Sequence, residues 1–193
     1  MALLSGRAAL VTGGGRGIGE ASARRLADNG AKVIVADMNL ASAKSIVDDI
    51  LKGGGEAKAL EIDVAEFEKI PQKINEAKKL FGRIDNLVNV AGITRSTPIE
   101  EITLESWDRK MNIDLKSMFF ITQAVFAVMK EQGYGKLVHM SSLAALRGGH
   151  PGGKHIFIPV PGQTDTAVYH IRVFAVYFLK PFTHGFQPPF SVL

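Results

Sequence analysis

Four apolar residues, Ala8-Ala9-Leu10-Val11, run into Thr12-Gly13-Gly14-Gly15-Arg16-Gly17-Ile18-Gly19 and then into a segment with helical periodicity. A strand that turns through glycines directly into a helix is how parallel α/β sheets build a phosphate site. Glycines 13, 17 and 19 let the backbone turn sharply and approach a pyrophosphate, while the helix N-terminus offers unpaired N–H groups and a positive dipole end. The G-x-x-x-G-x-G spacing is followed by no Gly-Lys-Ser/Thr, which disfavours a P-loop nucleotidase. A glycine turn made only for packing is the plainer reading, and the surrounding chain weighs against it.

A second apolar run, Ala31-Lys32-Val33-Ile34-Val35-Ala36, closes on Asp37. This lies about 20 residues past the glycine loop, where a carboxylate can hydrogen-bond an adenosine ribose. A carboxylate there repels a 2′-phosphate, so NAD is the expected cofactor. NADP stays open because Arg16 and Lys32 are nearby cations.

The 193 residues, 46% of them hydrophobic, suit one domain, 1–193, with a sheet core between helical layers. The net charge of +4 is spread among interspersed acids and bases, which argues against a nucleic-acid partner. Cysteine is absent, which removes disulfides, thiol nucleophiles and cysteine metal sites and fits a reducing cytoplasm; no metal site is expected. The N-terminal residues lack the apolar stretch of a secretion signal. The apolar stretch Thr166–Leu179 is broken by His170 and Arg172 and is too short to span a bilayer, so no membrane partner is expected.

Strand-like runs at 8–12, 31–37, 57–63, 84–90 and 136–141 alternate with helix-like segments at 17–29, 40–52, 66–81 and 103–131. That order predicts a doubly wound parallel α/β sheet, a Rossmann fold, with helices on both faces. Asn29-Gly30 and Gly53-Gly54-Gly55 read as helix stops. Asp63-Val64 and Asn89-Val90-Ala91-Gly92 fall at carboxyl ends of strands, where open α/β sheets bind ligands.

With these motifs in view the chain resembles the short-chain dehydrogenase/reductase family, over about residues 5 to 149. Thr12-Gly13-x-x-x-Gly17-x-Gly19, Asp63-Val64, Asn89-x-Ala91-Gly92, Asn112 and Ser141-Ser142 carry the likeness, which is nearest to 3-oxoacyl-carrier-protein reductases or polyol dehydrogenases. The resemblance implies hydride transfer between a nicotinamide and a carbonyl or secondary alcohol on a small molecule. It implies that Gly13, Arg16, Gly17, Ile18 and Gly19 hold the cofactor phosphates, with Thr12 bracing their loop. Asp63 and Val64 would meet the adenine, and Asn89, Ala91 and Gly92 the adenosine and nicotinamide-ribose side. Ser142 would hydrogen-bond the substrate oxygen, and Asn112 would relay protons through water. Val90 stands where the family usually has a second asparagine.

The family's tyrosine should follow Ser142 by about a dozen residues, with lysine one helical turn later, where its charge lowers the tyrosine pKa. This chain lacks such a pair: the window holds Lys154-His155-Ile156-Phe157-Ile158, Tyr169 is followed at four by Val173 and Tyr177 by Pro181. Composition also changes after residue 149. Six of eight prolines, four of five histidines and eight of fifteen aromatics lie at 150–193 beside one acid, Asp165, so 1–149 reads as a family-like body and 150–193 as an atypical tail. A deletion, a frameshift or alternative splicing would each produce it. The resemblance therefore implies an NAD(P)(H)-dependent oxidoreductase of impaired activity, with incomplete C-terminal strands and without the helix that builds much of a homo-oligomer interface. The other reading is a non-catalytic dinucleotide-binding protein, or a subunit that joins an intact relative through the helix holding Met118 and Phe126.

Overall fold

The computed structural model describes residues 2–93, 97, 99–141 and, as backbone, 177–178. Strands and helices alternate as β1 (Ala8–Thr12), α1 (Gly17–Asp28), β2 (Lys32–Asp37), α2 (Leu40–Lys52), β3 (Glu56–Glu61), α3 (Ile70–Phe81), β4 (Asn86–Asn89), α4 (Leu104–Met111), α5 (Ser117–Gln132) and β5 (Lys136–His139). A two-residue strand, β6 (Tyr177–Phe178), completes the sheet, whose order is β3-β2-β1-β4-β5-β6. β1 to β5 pair in parallel and β6 runs antiparallel to β5. The chain winds outward from β1 to β3, returns to β4 beside β1, and winds the other way. A doubly wound sheet opens its crevice at that reversal, between the carboxyl ends of β1 and β4.

The five residues of β1 are all buried, as a central strand covered on both faces requires. Leu10, Ile34, Leu87 and Leu137 point to the layer of α3 and α5, whereas Ala9, Val11, Val33 and Val35 point to that of α1 and α2. β3 keeps Ala57 and Leu60 inward and exposes Glu56, Lys58 and Glu61, the charged pattern that protects a sheet edge. Asn29 and Gly53 cap the C-termini of α1 and α2, in agreement with the glycine stops.

At the end of the sheet away from the crevice, Asp85 bolts β1 to β4. Its fully buried carboxylate accepts from Arg7 Nη1 at 3.0 Å, Arg83 Nε and Nη2 at 2.6 Å each, and the Ala8 N–H at 2.9 Å. Burial alone would push this carboxyl up, but the bonds from Arg83, Ala8 and Arg7 prevail and hold it below the usual carboxylate range.

Two expectations change. The expected helix over 103–131 is two helices joined by a π-helical turn, Asn112–Lys116. The extra residue of that turn rotates the helix face, so an apolar stripe counted across it goes out of register. Val125 and Met129 are buried, whereas Leu115 and Phe119, at the same spacing along the chain, are 47% and 61% exposed. β3 stops at Glu61, and Ile62 makes one further bond to the Asp37 carbonyl, leaving Asp63 in the loop beyond the strand. The antiparallel pairing of β5 is made by 177–178; the rest of the tail, 150–176 and 179–193, lies outside the described residues.

Candidate functional site

The glycine loop folds as a cradle whose glycines do three different jobs. Gly13 has φ +64°, and a Cβ there would sit 2.9 Å from the backbone of Ala91, so the first turn closes against the loop after β4. A Cβ on Gly19 would collide with the Gly13 carbonyl, which ties the first turn of α1 to the loop. Gly17 has φ +56° and open space where its Cβ would be. Arg16 enters α1 in an extended conformation, and no side chain caps the helix. The first N–H groups of α1 therefore face that open space with the positive end of the helix dipole, the chemistry an anionic pyrophosphate needs.

Asp37 organises the loop from the end of β2. Its Oδ2 accepts the Gly15 N–H and its Oδ1 the Asn39 N–H, both at 2.9 Å. Asn39 in turn caps α2 by accepting from the Ser42 N–H. The carboxylate is thus held in one pose, partly exposed, beside the phosphate loop. Exposed Ile18 and Met38 flank the crevice with apolar surface.

Asp63 accepts the Ala65 N–H at 2.9 Å and turns the chain after β3. It lines a cleft of about 520 Å³ with Met38, Glu61, Glu66 and Lys69, and Val64 is buried in the core behind it. The volume is in the range of small-ligand sites. The Glu66 carboxylate holds the Lys69 ammonium above its ordinary value.

Thr12 and Asn89, paired across β1 and β4, form the floor. The Thr12 hydroxyl donates to Asn89 Oδ1 at 2.6 Å and accepts from the Val90 and Ala91 N–H groups at 3.2 and 3.3 Å. The Asn89 amide donates to the Met118 carbonyl at 3.4 Å. Thr12 thereby braces the loop after β4. Val90 packs among the apolar residues of the α1–α2 layer, and Gly92 is exposed at the rim. His139, next to Asn89 in the sheet, is buried; desolvation lowers its pKa, and its Nε2 lies 3.5 Å from the Thr122 hydroxyl.

Asn112 sits at the start of the π turn with an amide that makes no hydrogen bond among the described residues. The residue of this turn that reaches the crevice is Asp114, which accepts the Ile93 N–H at 2.7 Å. Sequence reasoning passed over Asp114, although Lys110 stands four residues before it as a one-turn ion pair. Ser142, Lys154, His155 and Tyr169 lie outside the described residues. Among the described residues no cluster of acids and histidines could hold a metal ion, and no helix is long and apolar enough to cross a membrane.

A family model described as short chain dehydrogenase matches residues 7–153, which contain the cradle, Asp37 and the crevice floor. The chain belongs to the short-chain dehydrogenase family. Members of this oxidoreductase family work with NAD(P) cofactors. This short-chain dehydrogenase is 39% identical over 153 residues to 3-oxoacyl-(acyl-carrier-protein) reductase of Synechocystis sp., covering 79% of this chain and 62% of that protein. It is 39% identical over 150 residues to hydroxynaphthalene reductase-like protein Arp2 of Metarhizium robertsii, covering 77% and 55%. Its fold matches a solved 7α-hydroxysteroid dehydrogenase complexed with NADH and 7-oxo glycochenodeoxycholic acid, with a TM-score of 0.71 and 32% identity over 74% of this chain and 56% of that one. The chain thus spans little more than half the length of such relatives.

Proposed function

We propose that this chain binds NAD(H) in preference to NADP(H) and serves hydride transfer between the nicotinamide and a carbonyl or secondary alcohol of a small molecule, with impaired turnover. The observation that carries the reading is the pose of Asp37. Its two oxygens are oriented by Gly15 and Asn39 at the end of β2, beside a glycine cradle that a side chain at Gly17 would fill. A carboxylate held there accepts from ribose hydroxyls and repels a 2′-phosphate.

When bound, the nicotinamide supplies or takes the hydride. The protein's part is to hold and to protonate. The first N–H groups of α1 and Gly13, Arg16, Gly17, Ile18 and Gly19 bind the pyrophosphate, with Thr12 bracing them. Asp63 and Val64 border the adenine, and Asn89, Ala91 and Gly92 support the ribose that carries the nicotinamide. Ser142 donates a hydrogen bond to the substrate oxygen as charge develops on it. Asn112 serves a water-borne proton path. The missing Tyr-x-x-x-Lys pair removes the positioned acid, and general acid catalysis typically contributes about 10²- to 10⁴-fold, which sets the expected deficit in turnover.

Calorimetric titration of the monodisperse protein with NADH and NADPH tests the reading. NADH should bind about 10-fold or more tightly than NADPH, the discrimination one unpaired like-charge contact produces. Equal affinities, or tighter NADPH, would overturn the role of Asp37. Any turnover found should vanish in Ser142→Ala; turnover that survives places the chemistry elsewhere.

A further inference from the structure

Two rows of side chains cross the sheet on the face covered by α3 and α5. The inner row, Leu10, Leu87 and Leu137, is apolar and belongs to the core. Two residues on, at the crevice, the row is Thr12, Asn89 and His139, three polar groups that are all buried. α5 meets this row with the Met118 carbonyl and the Thr122 hydroxyl. The carbonyl accepts from Thr122 Oγ1 at 2.6 Å and from Asn89 Nδ2 at 3.4 Å, one donor for each of its lone pairs. The hydroxyl has thereby committed its single proton, so toward His139 Nε2, 3.5 Å away, it can only accept. Nε2 is therefore the nitrogen that carries the proton in the neutral imidazole, and Nδ1 is left as a buried acceptor without a partner among the described residues. β5 also holds Asn89 directly, since the Met140 N–H donates to the Asn89 carbonyl at 3.0 Å.

We propose that His139 is a positioning residue that makes the hold of the crevice floor on the dinucleotide proton-dependent: the neutral Nε2–H form fixes Asn89, and proton uptake at Nδ1 unsettles it. The coupling to the dinucleotide rests on the nucleotide reading above; the tautomer does not. A proton on Nδ1 puts a charge and a second N–H where the described residues offer no acceptor, and a buried group left so is costly. The imidazole must then shift or the row must admit water, and either change disturbs the Thr122 contact and the Met140 bond beside Asn89. No charge among the described residues offsets that cost. β1 and β4 have no ionisable residue, and α5 has charges only at Lys130 and Glu131, about two turns beyond Thr122. β6 contributes Tyr177, neutral near pH 7, and Lys136 of β5 alternates to the opposite face. In the π turn, Asp114 is paired with Lys110, and Lys116 lies over the Phe67 ring. Because such coupling is reciprocal, a bound dinucleotide should in turn make His139 harder to protonate.

Two measurements on the full chain test this. Nitrogen NMR of the imidazoles, with the His139 signals assigned by their loss in His139→Gln, reads the tautomer without any ligand. Nε2–H is expected at pH 7.5; Nδ1–H, or an imidazolium, would overturn the proposal. The second measurement is calorimetric titration with NAD⁺, which is stable in mild acid, at pH 7.5 and 5.5. Affinity should fall about 3-fold on acidification, within the limit of about 10-fold per pH unit that one excluded proton sets. In His139→Gln, whose neutral amide can still donate to Thr122, the two affinities should agree within about 1.5-fold, because the titrating group is gone. His139→Asn serves if that variant does not fold. An equal fall in the variant would assign the pH dependence to another group and overturn the role of His139, as would a flat profile in the unmodified protein. Failure of the unmodified protein to bind NAD⁺ at pH 7.5 would overturn the nucleotide reading and the coupling with it, leaving the NMR spectrum to decide the tautomer.

Discussion

The sheet from β1 to β3 and its two covering helices differ from the sheet at β4 and β5 in how their apolar surface is spent. α2 buries Ala43, Ile46, Val47 and Ile50 on one stripe and turns Lys44, Asp48, Asp49 and Lys52 to water. α5 buries Ile121, Val125, Val128 and Met129, yet on other sides it exposes Phe119 at 61% and Phe126 at 39%, with Leu115 of the π turn at 47%. A helix with one apolar stripe is finished by one layer of sheet; a helix apolar on opposite sides is finished only by a second cover. The main apolar stripe of α2 is therefore covered by the sheet of its own half, with Leu51 alone of that helix left half exposed among its large apolar residues. On the β4–β5 side, α5 and the π turn present apolar surface beyond what the sheet uses, among the described residues.

The strongest test falls on the bolt between the halves. Asp85→Ala leaves Arg7 and Arg83 without their buried partner and should cost about 3–5 kcal/mol in urea unfolding. A loss under about 1 kcal/mol would mean that the halves are joined by strand pairing alone. Next, Ile121→Ala on the inner face of α5 should cost about 2–5 kcal/mol, whereas Phe119→Ser on its outer side should stay within about 0.5 kcal/mol. A large cost at Phe119 would break the comparison by showing that side to be covered in solution.

In the cradle, Gly17→Val meets no neighbour but must hold φ +56°. It should lower stability by about 1–2 kcal/mol while weakening NADH about 30-fold or more, because the side chain fills the space above the α1 N–H groups. Unchanged affinity would remove the phosphate site from this loop.

The smallest effect concerns His139. Burial lowers its pKa, so its neutral form is the one the fold accommodates. Its stabilising contribution is full above the ordinary histidine value of about 6.5 and declines as pH falls through it. Urea midpoints at pH 7.5 and 5.5 should therefore diverge in the unmodified protein more than in His139→Asn; equal slopes would contradict the buried neutral imidazole. Asp85 carries the opposite charge but the same sign of pH dependence. Its contribution is lost only below the usual carboxylate value of about 4, as pH falls through its depressed folded-state value, so the two groups separate along the pH axis.

Much of the architecture was legible from patterns within short stretches. β1 and β2 are uninterrupted apolar runs, and the glycine loop sits between a strand and a helix as a phosphate cradle demands. Asp37 was found by its place at a strand end, and its bond to the Gly15 N–H ties it to that cradle. The π turn was not legible, because one added helical residue leaves composition and spacing almost unchanged while rotating everything after it. Asp114 was passed over in favour of Asn112, two residues away, because nothing in the local pattern says which of them meets Ile93.

The sequence by itself determined the order of strands and helices, the glycine turn and the carboxylate at the end of β2, since each depends on residues close along the chain. Tertiary structure alone decided that Asp85 bolts β1 to β4, that Thr12 reaches Asn89 across 77 residues, and that Asp114 accepts the Ile93 N–H while Lys110 donates to the Ile93 carbonyl. Periodicity tells which face a side chain occupies; only folding tells which distant backbone group that face will meet.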